Sequence, residues 1–345
     1  MKKLYIRVDG NKTLGLGHVM RCMSIADAYV ALGGECEFVS ADADVLPIVG
    51  ERNYDASVID GKWDNLQNEI DIMIQYIKCC DVKLLLVDSY FANEKYFEEL
   101  HKYVRLVYLS ANIDRCYDID VLINYTLGSQ KVNYNKIYKG TEVKILCGVQ
   151  YTPLRKQFQC TYHLGDSVEN IFLTTGGTDA DGIILKLFET IEKNTPDLLT
   201  LNWHIVVGKF YSVNTKNKLR RYCDIYKNIF LYENVKDMSK LMRKCDIAIS
   251  AAGSTIYELC ACGVPTVAFS FVDNQVKGLY EFSKDGLVLS VGDIREDVQK
   301  SINMIIKYIT NLKEDITLRK IQAKKMKMFI DGKGAMRIAE ELRKL

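Results

Sequence analysis

The chain has 345 residues, of which 48% are hydrophobic and 26% are charged. This composition excludes a disordered chain, and the length favours two globular domains. Lysine and arginine total 46 against 44 aspartates and glutamates, and this near balance argues against nucleic acid as a partner.

Cysteine usage and hydropathy indicate the compartment. The eleven cysteines show no C-x-x-C spacing, which predicts reduced thiols rather than a disulfide framework or a metal site. The N-terminal nine residues lack the apolar core of a secretory signal, and the apolar stretch 246–273 is broken by glycines, a glutamate and a proline. We therefore expect a cytoplasmic protein with no membrane partner.

Short apolar runs alternate with longer amphipathic segments along the chain. Strands are predicted in the first half at 3–8, 36–40, 56–60, 83–88, 105–109, 121–124 and 143–147. The helices between them include 19–32, 66–79 and 94–101. The pattern restarts after about residue 159, with strands at 170–175, 202–207, 229–231, 246–249, 266–269 and 287–289. The helices of this half are predicted at 181–192, 215–223, 238–244, 254–262 and 275–284.

This alternation predicts an α/β protein with two Rossmann-like, doubly wound parallel-sheet domains. The first domain would comprise residues 1–159, and the second would comprise residues 160–345 together with its terminal helices. Ligands of such folds bind at the carboxyl ends of the strands, so we expect the site in the interdomain cleft.

The first candidate motif is Gly15-Leu16-Gly17-His18, directly after the first strand. Its glycines allow close approach of a ligand to the backbone, and the imidazole of His18 would stand at a helix N-terminus as a general base. Asp9 and Arg21 flank this motif. On spacing alone, a tight turn with His18 as a cap is the simpler interpretation.

Two further glycine motifs follow strands of the second half. In Gly176-Gly177-Thr178-Asp179 the amides could hold a phosphate or sugar hydroxyl, but a turn with Thr178 or Asp179 as helix cap is equally compatible. In Gly253-Ser254-Thr255 the amides and hydroxyls could donate to a diphosphate, and ordinary capping is the alternative.

Three polar residues could contact a sugar or a ribose. Glu258 would be costly to bury in its apolar surroundings without a partner, which favours ribose binding over a capping box. Asn274-Gln275 could bond sugar hydroxyls, although helix capping is the default interpretation.

Tyr90 could position water from the end of a strand, but alone it fits a core or rim position, and Asp88 beside it is ambiguous.

The chain lacks the usual signatures of metal and dinucleotide sites. No H-x-x-x-H or H-E-x-x-H occurs, no P-loop occurs, and position 20 of the Gly15-x-Gly17 stretch is Met rather than Gly. We therefore expect no metal and no cofactor, and an NAD-dependent enzyme is disfavoured.

Taken together and in order, these motifs resemble one family. The set comprises Arg7-x-Asp9, Gly15-x-Gly17-His18-x-Met20-Arg21-Cys22, Asp88-x-Tyr90, Tyr151-x-x-Leu154-Arg155, Gly176-Gly177-Thr178-Asp179, Ser250-Ala251-Ala252-Gly253-Ser254-Thr255, Glu258, Gly263-x-Pro265 and Asn274-Gln275. It resembles the PseG family of UDP-sugar hydrolases of the pseudaminic acid pathway and their spore-coat polysaccharide relatives, and more remotely MurG-type glycosyltransferases.

The resemblance implies a GT-B fold and hydrolysis of UDP-2,4-diacetamido-2,4,6-trideoxy-β-L-altropyranose to UDP and the free sugar, with inversion. The partners would be the UDP-activated acylamino sugar and UDP, bound by a monomer. By resemblance, His18 matches the water-activating histidine, Tyr90 a tyrosine that helps to place the water, and Asn274 a sugar-side asparagine. The residues that match substrate-binding positions are Asp9, Gly17, Arg21, Gly177, Thr178, Gly253, Ser254, Thr255, Glu258 and Gln275.

One departure leaves the sugar open. Ala111-Asn112 stand where relatives carry an Asp-Asp pair, so a related nucleotide-activated acylamino sugar is an alternative substrate. A GT-B glycosyltransferase that passes the sugar to an acceptor is the alternative enzyme. A non-catalytic nucleotide-sugar sensor is the alternative of another class, and the presence of both His18 and Tyr90 argues against it.

Overall fold

The computed structural model describes residues 2–111, 113, 115–161, 164–179 and 181–345. The chain forms two compact units, one of residues up to Lys156 together with Gly332–Leu345, and the other of Gln157–Asp331. The predicted boundary after residue 159 lies close to this division. The prediction assigned all terminal helices to the second domain, however, whereas the last of them packs in the first unit.

The first unit contains one seven-stranded parallel sheet with the order β3-β2-β1-β4-β5-β6-β7. Its strands are β1 Leu4–Val8, β2 Cys36–Ser40, β3 Asp55–Val58, β4 Leu84–Asp88, β5 Arg105–Leu109, β6 Val121–Asn124 and β7 Lys144–Cys147. Its helices are α1 Gly17–Ala31, α2 Leu46–Gly50, α3 Ile70–Cys79, α4 Glu94–His101, α5 Tyr134–Ile137 and α13 Gly334–Leu342. Every residue of β1 and β4 is buried, as expected of central strands covered by helices on both faces.

The second unit contains one six-stranded parallel sheet with the order β10-β9-β8-β11-β12-β13. Its strands are β8 Asn170–Thr174, β9 Asn202–Val206, β10 Ile229–Tyr232, β11 Ile247–Ala251, β12 Thr266–Ser270 and β13 Leu289–Asp293. Its helices are α6 Ile183–Asn194, α7 Val213–Ile225, α8 Met238–Lys244, α9 Thr255–Cys262, α10 Asp273–Lys284, α11 Val298–Glu314 and α12 Ile316–Phe329. The main core cluster packs apolar side chains of α6, α7 and α11 on Trp203, Ile249 and Phe269 of the sheet.

The bounds of one predicted strand differ from those in the structure. The sequence predicts a strand at 287–289, whereas β13 spans Leu289–Asp293. The amide of Leu287 instead donates to the carbonyl of Phe282 at 2.9 Å, and Gly286 adopts a positive φ of 66°. Leu287 therefore belongs to the turn that ends α10, because glycine readily adopts the left-handed conformation that such helix ends use.

Helix α13 returns to the first unit and packs against α1. Its first residue, Gly334, lies directly on the backbone of Thr152: a Cβ at this position would come within 2.1 Å of the Thr152 carbonyl oxygen. Arg337 donates to the carbonyl of Gln150 at 2.9 Å. Glycine at 334 is therefore a packing requirement.

Along the described part of the chain, no helix combines the length and the apolarity that a membrane crossing requires.

Candidate active site

In each sheet the direction of the strand order reverses between two central strands. The chain leaves β1 through α1 toward β2, but leaves β4 through α4 toward β5 on the opposite side. The same reversal occurs in the second unit between β8 and β11. Such diverging connections open a crevice outside the carboxyl ends of the two strands, where open α/β sheets bind ligands. The two crevices contain most of the motifs predicted from the sequence.

His18 and Asp88 meet at the crevice of the first unit. His18 is the second residue of α1, and its Nδ1 lies 2.7 Å from Oδ1 of Asp88, the last residue of β4. We assign the ring proton to Nδ1, because an ionised carboxylate oxygen can only accept a hydrogen bond and this contact is shorter than the 3.0 Å that separates Nδ1 from Nη2 of Arg21. Nε2 then carries a lone pair, and it is buried without a hydrogen-bond partner among the described residues. An imidazole held in this tautomer can accept a proton from water.

Arg21 keeps this carboxylate charged. Its Nε donates to Oδ2 of Asp88 at 2.6 Å, its Nη2 donates to Oδ1, and its Nη1 donates to the hydroxyl of Tyr125 at 2.9 Å. Burial alone would raise the pKa of Asp88, but Arg21 and His18 outweigh it and hold that pKa well below its usual range. Burial raises the pKa of Cys22, whose thiol lies 3.3 Å from Oδ2 of Asp88.

Tyr90 and Gly17 complete the exposed side of this crevice. The Tyr90 ring stands edge-on to the imidazole of His18, with the ring centroids 4.4 Å apart, and the tyrosine is 48% exposed. Gly17 is exposed at the start of α1, which has no side-chain cap. The structure therefore brings four predicted site residues together, namely Gly17, His18, Arg21 and Tyr90.

Asp9 belongs to a buried network beneath the crevice. Its two carboxylate oxygens accept from Arg7 at 2.6 Å and from the amide of Ala41 at 2.8 Å. Arg7 is fully buried and also donates twice to Glu69, at 2.8 Å and 2.7 Å, while the hydroxyl of Tyr96 donates to the same glutamate at 3.0 Å. Both oxygens of Asp9 are thus engaged within the protein, although the sequence predicted a substrate contact.

Helix α9 presents an uncapped N-terminus at the crevice of the second unit. It begins at Thr255 directly after β11, and no side chain caps it. Ser254 is exposed, and the space beside Gly253 is open except for the side-chain amide of Gln275. The first amides of a helix lack intrahelical acceptors and carry partial positive charge, so an anion can bind there.

The Gly176-Gly177 loop lies at the same crevice and contacts the segment that follows β9. Gly176 has a positive φ of 87°, and the amide of Phe210 donates to the carbonyl of Gly177 at 3.1 Å. A Cβ on Gly208 would lie 2.2 Å from the Gly176 carbonyl oxygen, so the loop rests on a position that only glycine can fill. Gly177 itself is exposed, and Thr178 beside it is half-buried.

Asp179 closes the N-terminus of α6. Its Oδ1 accepts from the amide of Ile183 at 2.8 Å, and its Oδ2 accepts from the amide of Ile184 at 3.3 Å. The sequence left open whether Thr178 or Asp179 caps the helix, and these contacts identify Asp179 as the cap. A carboxylate therefore occupies this helix end.

The remaining predicted residues lie at the starts of α9 and α10. Glu258 is half-buried in the first turn of α9, and Asn274 is exposed as the second residue of α10. Gln275 follows it and accepts from the amide of Phe271 at 3.2 Å through Oε1.

Sequence reasoning left the role of Asp88 open and did not select Tyr125. The available signal was positional, because Asp88 ends β4 and Tyr125 directly follows β6 at the same edge of the sheet. Of the Ala111-Asn112 departure, Asn112 lies outside the described residues. Within those residues, no group of three or more His, Cys, Asp or Glu side chains is arranged to hold a metal ion.

Comparison with known proteins defines the class of fold first. Residues 170–332 match the glycosyltransferase family 28 C-terminal domain. The chain aligns with the crystal structure of Acinetobacter baumannii MurG at a TM-score of 0.71 and 13% identity, covering all of both chains. The protein therefore has the predicted GT-B fold.

Sequence comparison then shows which proteins within this fold class the chain is similar to. The chain is 24% identical to the spore coat polysaccharide biosynthesis protein SpsG of Bacillus subtilis, over 99% of its own length and 97% of that protein. It is 22% identical to the UDP-2,4-diacetamido-2,4,6-trideoxy-β-L-altropyranose hydrolase of Campylobacter jejuni, over 82% of its length and 97% of that protein. It is 24% identical to the uncharacterized protein MJ1062 of Methanocaldococcus jannaschii, over 77% of its length and only 55% of that protein. These matches confirm the resemblance to the hydrolase and SpsG group.

Proposed function

We propose that this protein hydrolyses a UDP-activated diacetamido-trideoxy sugar to UDP and the free sugar, for nonulosonic acid synthesis. One observation carries the proposal: the imidazole of His18 is oriented by an ionised carboxylate, and its buried Nε2 has no hydrogen-bond partner in the part of the chain that the structure describes. The match to the C. jejuni hydrolase supports the choice of substrate.

In the proposed reaction, Nε2 of His18 takes a proton from water as the oxygen attacks the anomeric carbon. The bond from that carbon to the phosphate oxygen breaks on the opposite face, and UDP leaves, so the anomeric configuration inverts. Glycosidases usually need a second carboxylic acid to protonate the leaving oxygen. A nucleoside diphosphate does not, because fixed amides can stabilise its charge.

The second unit would hold the leaving group. The N-terminal amides of α9, with Gly253, Ser254 and Thr255, would bind the diphosphate, and Glu258 would accept from the ribose hydroxyls. Gly177, Thr178, Asn274 and Gln275 would contact the rest of the substrate. This arrangement explains how a chain of net charge +2 can bind an anionic substrate, since helix amides provide the positive potential.

The geometry favours positioning roles for two residues that were predicted to bind substrate. Arg21 holds Asp88 and Tyr125, and we propose that it keeps the carboxylate charged and in place. Asp9 is engaged by Arg7 and the Ala41 amide, and we propose that it supports the floor of the crevice.

The test is analysis of products by anomeric NMR with the altropyranose UDP-sugar and its gulose- and glucose-type isomers. We expect free sugar of inverted configuration and UDP, without any acceptor. His18→Ala should lower kcat by about 10²-fold to 10⁴-fold, the usual contribution of a general base, and leave UDP affinity unchanged. His101→Ala, a histidine of α4, is the matched control. Hydrolysis by His18→Ala at the wild-type rate would remove His18 from the mechanism.

A GT-B glycosyltransferase is the second candidate, favoured by the family 28 domain match and by the MurG-like fold. The same product analysis separates the two. A transferase would release little free sugar until an acceptor is added, whereas the hydrolase needs only water.

A further inference from the structure

The segment 59–69 connects β3 to α3 at the carboxyl-end edge of the sheet of the first unit. At its start, the amide of Gly61 donates to the carbonyl of Ala41, just beyond β2, at 3.0 Å. At its end, Glu69 binds Arg7 of β1. The segment therefore passes over the carboxyl ends of β2 and β1 on its way to α3.

This segment also contacts the loop that follows β4. Asn93 donates to Oε1 of Gln67 at 3.3 Å, and the ring of Trp63 packs edge-to-face on Phe91 with the centroids 5.6 Å apart. Tyr90, the chain neighbour of Phe91, contacts His18. The aromatic pair thus includes a residue of the loop that follows β4, at the same edge of the sheet as His18.

The pair is not part of the hydrophobic core. Phe91 is 40% exposed, and Trp63 is only partly buried, although both rings are large and apolar. Aromatic surface that remains exposed at the mouth of a crevice is typical of ligand sites, which combine apolar walls with a few polar groups.

We propose that Trp63 and Phe91 form a subsite for the methyl-bearing parts of the sugar, which are its N-acyl groups and its deoxy carbon. The inference rests on the proposed function and deepens it, because it assigns a preference for acylamino deoxy sugars over fully hydroxylated ones. Transfer of a methyl group from water to a contact with aromatic rings is favourable in free energy, whereas a sugar hydroxyl placed there would lose its hydrogen bonds. One such contact discriminates by about 10-fold to 200-fold.

Tryptophan fluorescence gives a direct readout of binding. The chain has only two tryptophans, and Trp203 is fully buried in the second unit. We expect the emission of Trp63 to shift when the diacetamido-trideoxy UDP-sugar is added, but not when UDP alone is added. Trp63→Phe should abolish the shift while preserving UDP affinity by calorimetry.

Kinetics test the preference itself. Trp63→Ala and Phe91→Ala should each lower kcat/KM for the diacetamido-trideoxy UDP-sugar by about 10-fold or more, and reduce its advantage over UDP-glucose. Tyr103→Ala, another exposed aromatic of the first unit, is the matched control and should change neither.

The two proposals fail in distinguishable ways. If the wild-type protein hydrolyses none of the UDP-sugars, the proposed function is wrong, and the Trp63 shift still tests the subsite. The subsite is overturned if the wild-type protein does not bind the acylamino UDP-sugar, or binds it without a shift in Trp63 emission. It is also overturned if the Trp63→Ala variant keeps the wild-type preference for this sugar over UDP-glucose.

Discussion

A single carboxylate, Asp88, organises the proposed chemistry at the scale of the residue. It accepts from the imidazole of His18 and from two nitrogens of Arg21, and the hydroxyl of Tyr125 holds the other end of that guanidinium. Because Asp88 is buried and charged, it fixes the ring orientation and the tautomer of His18.

Asp88→Asn should therefore lower kcat by about 10²-fold or more, with KM and UDP affinity little changed. The Asn amide can donate to Nδ1, which would move the ring proton to Nε2, where the lone pair is needed. Initial rates of UDP release would measure the effect, with circular dichroism as a check of folding. Asp27→Asn, which changes an aspartate paired with Arg52 in the same unit, is the control. An equal loss in both variants would contradict the role of Asp88.

A second buried histidine affects stability. His204 in β9 accepts from the hydroxyl of Tyr232 and donates to Oδ1 of Asn170, both at 3.0 Å, when the imidazole is neutral. Burial, aided by Lys244, lowers the pKa of His204 to about 4. Unfolded histidine titrates near 6.5, so between pH 6.5 and 4 the unfolded chain binds a proton that the folded unit does not.

The free energy of unfolding of the second unit should therefore fall as the pH drops from about 6.5 toward 4. It should not change through His204 above pH 7. Urea unfolding followed by Trp203 fluorescence in a Trp63→Phe background measures this, since Trp203 reports on the second unit. His204→Gln should remove part of the acid sensitivity. The same pH dependence in both proteins would refute this assignment.

Residue types and spacing indicated the loops of the proposed site, but not the hydrogen-bond partners of its side chains. The tautomer of His18 depends on Asp88, which is distant in sequence and brought near only by the pairing of β1 with β4. Asp9 and Arg21 are polar residues beside the Gly15-Leu16-Gly17-His18 motif, and nothing in the sequence revealed that internal partners engage them. Such long-range pairs follow from packing rather than from local pattern.

At the scale of the elements, the two helices that follow β8 and β11 differ at their N-termini. Asp179 caps α6, whereas α9 starts without a side-chain cap. The loop before α6 is positioned from beneath by Gly208, whose missing Cβ leaves room for Gly176 and Gly177.

Gly208→Ala should displace the Gly176-Gly177 loop, because the added Cβ would meet backbone atoms that cannot rotate away. We expect a loss of about 1–3 kcal/mol in stability, as for overpacked sites, together with weaker binding of the UDP-sugar. Thermal unfolding and calorimetry would measure the two effects. Gly278→Ala in α10, where a Cβ meets nothing within 4 Å, should be neutral or stabilising. If Gly208→Ala left both the stability and the binding of the UDP-sugar unchanged, the packing argument would be contradicted.

Alternation of apolar runs predicted most strands and helices, since buried parallel strands are apolar throughout and surface helices are amphipathic. The last strand was predicted at 287–289 rather than at 289–293, because β13 contains Gly292 and Asp293 and pairs with β12 through a bulge. Such a sequence lacks the apolar signal, and pairing with its neighbour determines its bounds.

At the scale of the whole molecule, the first unit is built from two separate parts of the chain. The contact of Gly334 with the Thr152 backbone and the packing of α13 on α1 join them. Sequence patterns could not predict this return, because α13 follows the second unit directly and its amphipathic face does not identify its partner.

Gly334→Ala should loosen this junction, since the new Cβ would overlap the Thr152 backbone. We expect a loss of about 1–3 kcal/mol in the first unit and faster hydrogen exchange in α1. Hydrogen exchange with mass spectrometry resolves the two units. Gly50→Ala in α2, where a Cβ has open space, is the control. Faster exchange confined to the second unit would contradict the predicted packing.

The return of α13 also sets an order of assembly on the ribosome. Because the chain emerges in order and domains fold as units, the elements of Gln157–Asp331 emerge before α13 does. The first unit, which contains His18, lacks the helix that packs on α1 until α13 emerges. The first unit therefore completes its packing only after the second unit has been synthesised.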